Sequence, residues 1–110
     1  MTAVPAETGS RLTARALALA LVQVLALGLP DPDHITIWPC VADNPYVSLI
    51  DFQFSEDGAL SDVETWAGWS GMSVTHEPDS RDSARCWVSA EFTYLDVPFK
   101  AYANVAADGT

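Results

Sequence analysis

Arg85-Cys-Trp-Val-Ser-Ala-Glu-Phe-Thr-Tyr-Leu-Asp-Val-Pro-Phe-Lys-Ala-Tyr-Ala-Asn-Val105 decides the fold class of this chain. From Arg85 to Tyr94 apolar and polar side chains alternate, the period of a half-buried strand. Cys86, Val88, Ala90, Phe92 and Tyr94 share one face, and Arg85, Ser89, Glu91 and Thr93 the other. Trp87 is the exception, an indole on the polar face. Leu95-Asp-Val-Pro98 reads as a turn and Phe99 to Val105 as the returning strand, which together predict a long β-hairpin. The tail from Ala106 to Thr110 is expected to fray.

Upstream of the hairpin, Glu77-Pro-Asp-Ser-Arg-Asp-Ser83 reads as a polar, exposed loop. Met72 to His76 is expected to be a strand, with Met72, Val74 and His76 on one face. Ser55-Glu-Asp-Gly58 opens a short helix that runs through Trp66 or Ala67. Leu60, Val63 and Trp66/Ala67 recur at helical spacing, with Asp62 and Glu64 outward. Ser61 and Glu64 have the spacing of a capping box, which would start the helix one turn later. Gly68 and Gly71 are expected to end it. Tyr46 to Phe54 is the strongest strand candidate, apolar on both faces at its start and therefore central. His34 to Trp38 is a further strand, rich in β-branched residues and ended by Pro39.

Residues 10–28 predict a helix. Ala and Leu dominate the run, Ser10 is an N-cap type, Gly28 suits a left-handed C′ position, and Pro30 bars continuation. The same segment also has a secretory form: Arg11 and Arg15 precede an apolar run that ends in Ala26-Leu27-Gly28. Glu7 and the length of the segment before the apolar run count against that form, and small alanines suit close packing on a sheet. The run is too short for a membrane span, which needs about 20 apolar residues. The expected architecture is α+β in the order α-β-β-α-β-β-β. A long N-terminal helix and one short helix pack on a mainly antiparallel sheet of about five strands. Residues 1–9 form a lead-in, 10–105 a single domain with its sheet part at 34–105, and 106–110 the tail.

Fifteen acids face five bases, for a formal charge of −10 in 110 residues. Between Ala16 and Ser80 there is no Lys or Arg, while Asp31, Asp33, Asp43, Asp51, Glu56, Asp57, Asp62, Glu64, Glu77 and Asp79 fall in that stretch. Hydrophobic residues make up 49% of the chain, so the charge reflects a shortage of bases and not disorder. Such a surface repels nucleic-acid phosphate and anionic lipid and attracts basic partners. The five bases, at 11, 15, 81, 85 and 100, make no patch for nucleic acid.

The helix ending in Leu-Gly-Leu-Pro-Asp-Pro, the Ile-Thr-Ile strand, Trp66-Ala-Gly-Trp69 and the terminal hairpin with Val97-Pro98 resemble small uncharacterised proteins of high-GC actinobacteria and their phages. The resemblance rests on packing and turn signals and implies no activity, so no functional residue carries over.

No catalytic, cofactor or metal site emerges. His34, Cys40, His76 and Cys86 are zinc-ligand types, but five, 35 and nine residues intervene where structural zinc sites pair their ligands closely. Gly68-Trp-Ser-Gly71 lacks the second half of a nucleophile elbow and follows a helix. Asp51 sits mid-strand between Ile50 and Phe52, and Asp51 or His76 is what a small enzyme would have to use; a solvated face is the simpler reading of Asp51. Cys40 and Cys86 are expected to be free thiols in a cytoplasmic protein, or one disulfide if residues 1–28 are a signal and the domain is secreted.

The expectation for function is a non-enzymatic acidic interaction module that binds a protein with a basic surface, one form being a negatively charged decoy that inhibits such a partner. Neither nucleic acid, membrane nor cofactor is expected. Asp57, Asp62, Glu64, Trp69, Glu77, Asp79 and Trp87 are the candidate partner-binding residues, with Trp38 a further half-exposed indole.

Overall fold

The computed structural model describes residues 13–38, 49–55 and 57–107. Its elements are α1 (Ala14–Leu25), β1 (His34–Ile37), β2 (Ile50–Phe54), α2 (Ala59–Ser70), β3 (Thr75–Pro78), β4 (Arg85–Tyr94) and β5 (Val97–Ala106). The sheet order is β1-β2-β5-β4-β3. β1/β2, β4/β5 and β3/β4 pair antiparallel, whereas β2 and β5 run parallel. The fold is α+β with a mixed sheet. The chain leaves β2, forms α2 over one face and returns through β3 and β4, which is how β5 arrives parallel to β2.

The hairpin forms as its alternation requires. Val88, Ala90 and Phe92 are buried, and in register with them lie Ala103, Ala101 and Phe99. Ile50, Phe52 and Phe54 extend the same face through β2. The turn is tighter than expected. Tyr94 already pairs with Val97, leaving Leu95 and Asp96 as the two turn residues, with φ of 51° and 65°. Positive φ at both centres is the mirror-image turn whose twist matches a hairpin. Pro98 therefore lies inside β5, where its carbonyl accepts from Leu49 N–H at 3.0 Å.

α2 starts at Ala59 after Gly58 in a left-handed conformation, with no side-chain cap, so neither Ser55 nor the Ser61/Glu64 box begins it. It runs through Gly68 to Ser70, and Gly71, at φ 76°, terminates it by donating to the last carbonyls. Val63, Trp66 and Ala67 are buried and Leu60 half-buried on the expected stripe. Trp66 stacks on Phe92 at 5.7 Å, Phe92 stacks on Phe99 at 5.1 Å, and Phe52 tilts against Trp66 and Phe99. The indole Nε1 of Trp66 donates to Pro30 O at 2.9 Å, which ties the segment after α1 to the core.

α1 is shorter than residues 10–28. Thr13 caps it, accepting from Ala16 N–H at 3.1 Å, so the Ser10 cap lies outside the described residues. Its C-cap is Ala26, and Gly28 takes its left-handed turn two residues later. Leu17, Ala20 and Val24 recur at helical spacing and are buried in the common core, while Leu19 and Val22 stay exposed. β3 falls later than expected, at Thr75–Pro78, because Met72 N–H bonds back to Ala67 O and closes the helix end. The first part of the Tyr46–Phe54 strand and Cys40 lie outside the described residues.

Candidate functional site on the open face of the sheet

Both helices draw their partners from one face, so the other is left without a helix among the described residues. Strand alternation places Thr36, Asp51, Lys100, Tyr102, Ser89, Trp87 and Glu77 on that open face. Asp51 aligns with Lys100, Lys100 with Glu91, and Trp87 with Glu77 across the strands. The Lys100 ammonium lies 5.6 Å from the centre of the Tyr102 ring, within cation–π range. The Trp87 and Tyr102 rings stand 6.1 Å apart at 48°. Together with Glu77, Ser89 and Lys100 they line an open groove of about 310 Å3. Burial first, and then the Asp51 carboxylate, raise the Tyr102 pKa, so its phenol stays neutral and able to donate. At the sheet margin Trp38, 46% exposed, donates its indole N–H to Asp51 Oδ2 at 2.9 Å.

The candidate residues separate into three places. Glu77 and Trp87 meet on the open face. Asp57, Asp62 and Glu64 belong to the start and first turns of α2, on the opposite side of the sheet. Asp57 and Glu64 are exposed there and line a hollow of about 480 Å3 with Ser55, Arg85 and Asn104. Asp62 is half-buried, and burial followed by repulsion from Asp33 raises its pKa. Trp69 also lies on the helix side, 39% exposed, with its ring edge-on to Trp66 and Phe92. That contact makes it the rim of the core.

Asp79 corrects the expectation of an exposed acid. It is 8% exposed. Its Oδ1 accepts from Arg81 N–H at 2.9 Å and its Oδ2 from Asn104 Nδ2 at 2.9 Å, while its own N–H bonds Arg85 O. These bonds, the Arg81 N–H first, hold its carboxyl below the ordinary carboxylate pKa. Arg85 completes the network by donating Nε to Asn104 Oδ1 at 2.8 Å. Asp79 organises the β3–β4 connection and presents nothing to a partner.

Asp51 and His76, each named as a candidate for a small enzyme, are not brought together. They lie on β2 and β3, separated by β5 and β4 and pointing to opposite faces. Among the described residues no group of three or more His, Cys, Asp or Glu is placed to hold a metal ion. No described helix is long and apolar enough to cross a membrane. Comparison with protein-family models, with curated proteins and with solved structures finds no match to this chain.

Sequence reasoning missed Lys100, Tyr102 and Ser89 as neighbours of Trp87. The signal was present in part: Lys100 and Tyr102 share the parity opposite Phe99 and Ala101. What was missing was the hairpin register, which the two-residue turn fixes.

Proposed function

We propose that this chain is a non-enzymatic acidic interaction module whose open sheet face receives a basic surface of a protein partner. The observation that carries this reading is an aromatic groove whose wall carries Glu77, an exposed acid in register with Trp87 and not with a base. Arg81 is turned to Asp79, and Arg85 is turned to Asn104. Neither bonds Glu77, while Arg85 lines the hollow that Asp57 and Glu64 share. Glu77 and Glu91 are exposed on the open face, Glu91 in register with Lys100, and Asp57 and Glu64 are exposed beside α2. Half-exposed aromatic side chains such as Trp87 and Tyr102 are residue types that anchor protein interfaces. A decoy that occupies a nucleic-acid-binding surface is one form of this activity.

The test is the ionic-strength dependence of association with a fluorescent arginine- and lysine-rich peptide in stopped flow. Screening shortens the Debye length from about 30 Å at 0.01 M to about 8 Å at 0.15 M salt. The association rate is expected to fall at least about tenfold over that range, as for electrostatically steered pairs. A rate independent of salt, or the absence of binding at low salt, overturns the reading.

A further inference from the structure

We infer that the groove between Trp87 and Glu77 is the seat for a single arginine side chain of the partner, held in an extended basic segment lying on the open face. This rests on the basic-partner reading above and narrows it to one side chain and one pocket.

Three features of the groove select a planar cation. First, Trp87 is the strongest cation–π acceptor among the side chains and is half-buried on an open face. Among the described residues no cation lies over its ring, whereas Lys100 lies over Tyr102 at 5.6 Å. Lys100 lines the same groove, so an incoming cation is held on the Glu77 side of the indole, away from that ammonium. Second, Glu77 faces Trp87 in register across β3 and β4, where directly opposed side chains stand about 4.5–5.5 Å apart at Cβ. Its exposed carboxylate lies at the groove wall. A guanidinium stacked on the indole can turn its N–H fork to that carboxylate, and this pairing of a flat face with a bidentate edge belongs to Arg and not to Lys. Third, the Trp87 and Tyr102 rings stand 6.1 Å apart at 48°, so the indole forms one wall of an open groove and offers its face to a flat group. Ser89 and the Tyr102 phenol add polar partners at its floor.

The occupant is set by charge complementarity. Asp51 and Glu91 align with Lys100 on its two neighbouring strands, whereas Glu77 aligns with Trp87, so Glu77 is the acid of this groove that is in register with no base. A sugar would find aromatic rings here as well, but it would gain nothing from Glu77 that a neutral hydrogen-bonding side chain could not supply.

The test titrates the isotopically labelled full chain with the blocked peptides Gly-Arg-Gly, Gly-Lys-Gly and Gly-citrulline-Gly, following the indole N–H resonances and backbone amides. The arginine peptide is expected to shift the Trp87 indole and the Glu77, Ser89 and Tyr102 amides saturably. Citrulline, which keeps the planar shape but has no charge, is expected to bind about tenfold more weakly, as is arginine to Glu77→Gln. Trp87→Leu is expected to abolish the shifts. If that variant fails to fold, Glu77→Gln, at an exposed position on an edge strand, decides alone. Equal binding of arginine, lysine and citrulline overturns the inference, as does wild-type affinity in Glu77→Gln. Shifts confined to α2 around Asp57 and Glu64 overturn it while leaving the basic-partner reading intact. Failure of an oligoarginine to bind at low salt removes both.

Discussion

At the scale of single residues, Asp79 shows how one acid of many is taken out of the surface field. Two N–H donors converge on its carboxylate, one from Arg81 two residues on and one from Asn104, 25 residues on. Folding thus lowers its pKa, and the folded chain takes up this proton less readily than the unfolded chain. The stabilisation is complete above the ordinary carboxylate value of 3.8 and is lost as pH falls below it. Asp79→Asn is therefore expected to melt below the native chain near neutral pH, with the gap closing towards pH 3. A gap constant across that range, followed by circular dichroism, would contradict the role. Asp62 carries the opposite sign: its raised pKa means that folding favours its protonated form, so it opposes stability at neutral pH. The sequence marked residues 77–83 as a turn but could not say which acid would be buried, because that depends on Asn104 in a distant strand. The outward face of Arg85, Ser89 and Glu91 was legible, since a strand's period of two assigns faces without tertiary information.

At the scale of elements, the β4–β5 turn works against its own sequence. Leu95 is half-exposed and held at φ 51°, and the left-handed region costs a non-glycine residue about 1–2 kcal/mol. Asn-Gly is the preferred pair for this turn. The double replacement Leu95→Asn with Asp96→Gly is expected to stabilise the chain by about 1–2 kcal/mol, since the Leu95 side chain gives up little buried area. Thermal or urea unfolding checks it, and an unchanged or lower midpoint would contradict the turn assignment. This is also where sequence reading placed the hairpin end imperfectly: Leu-Asp carries no signal for positive φ, and Pro98 reads as a strand breaker. Pro98 is tolerated because it lies at the start of β5, level with the residue before β2. The parallel β2/β5 contact was illegible for another reason. It joins strands far apart in sequence, and no local pattern encodes their neighbourhood.

At the scale of the whole molecule, the two faces of the sheet divide the labour. One is covered by α1 and α2 and carries the core from Leu17 to Ala103. Leu17 and Val24 fill that core from α1, and burying two such side chains contributes on the order of 5 kcal/mol, comparable to the whole stability of a small domain. Gln23 adds a hydrogen bond from Tyr94 Oη at 3.3 Å. A chain beginning at Leu29 is therefore expected to aggregate or to lose its cooperative melting transition; a transition as sharp as that of the full chain would show that α1 is dispensable to the fold. The other face is polar, aromatic and open, and on it rests the functional reading.

The acids beside α2 line a different hollow from the groove of the open face, so the two sets can be neutralised separately. The most direct measurement compares Glu77→Gln with Glu91→Gln against Asp57→Asn with Glu64→Gln, each pair losing two exposed carboxylates. Both have the same net charge, and both are titrated with one arginine-rich peptide at low salt. Neutralising the open face is expected to weaken binding about tenfold or more, and neutralising the helix side only slightly, since contact acids act on the bound state and distant ones chiefly on steering. A greater loss from the α2 pair, or equal losses from both, would contradict the assignment of the binding surface to the open face of the sheet.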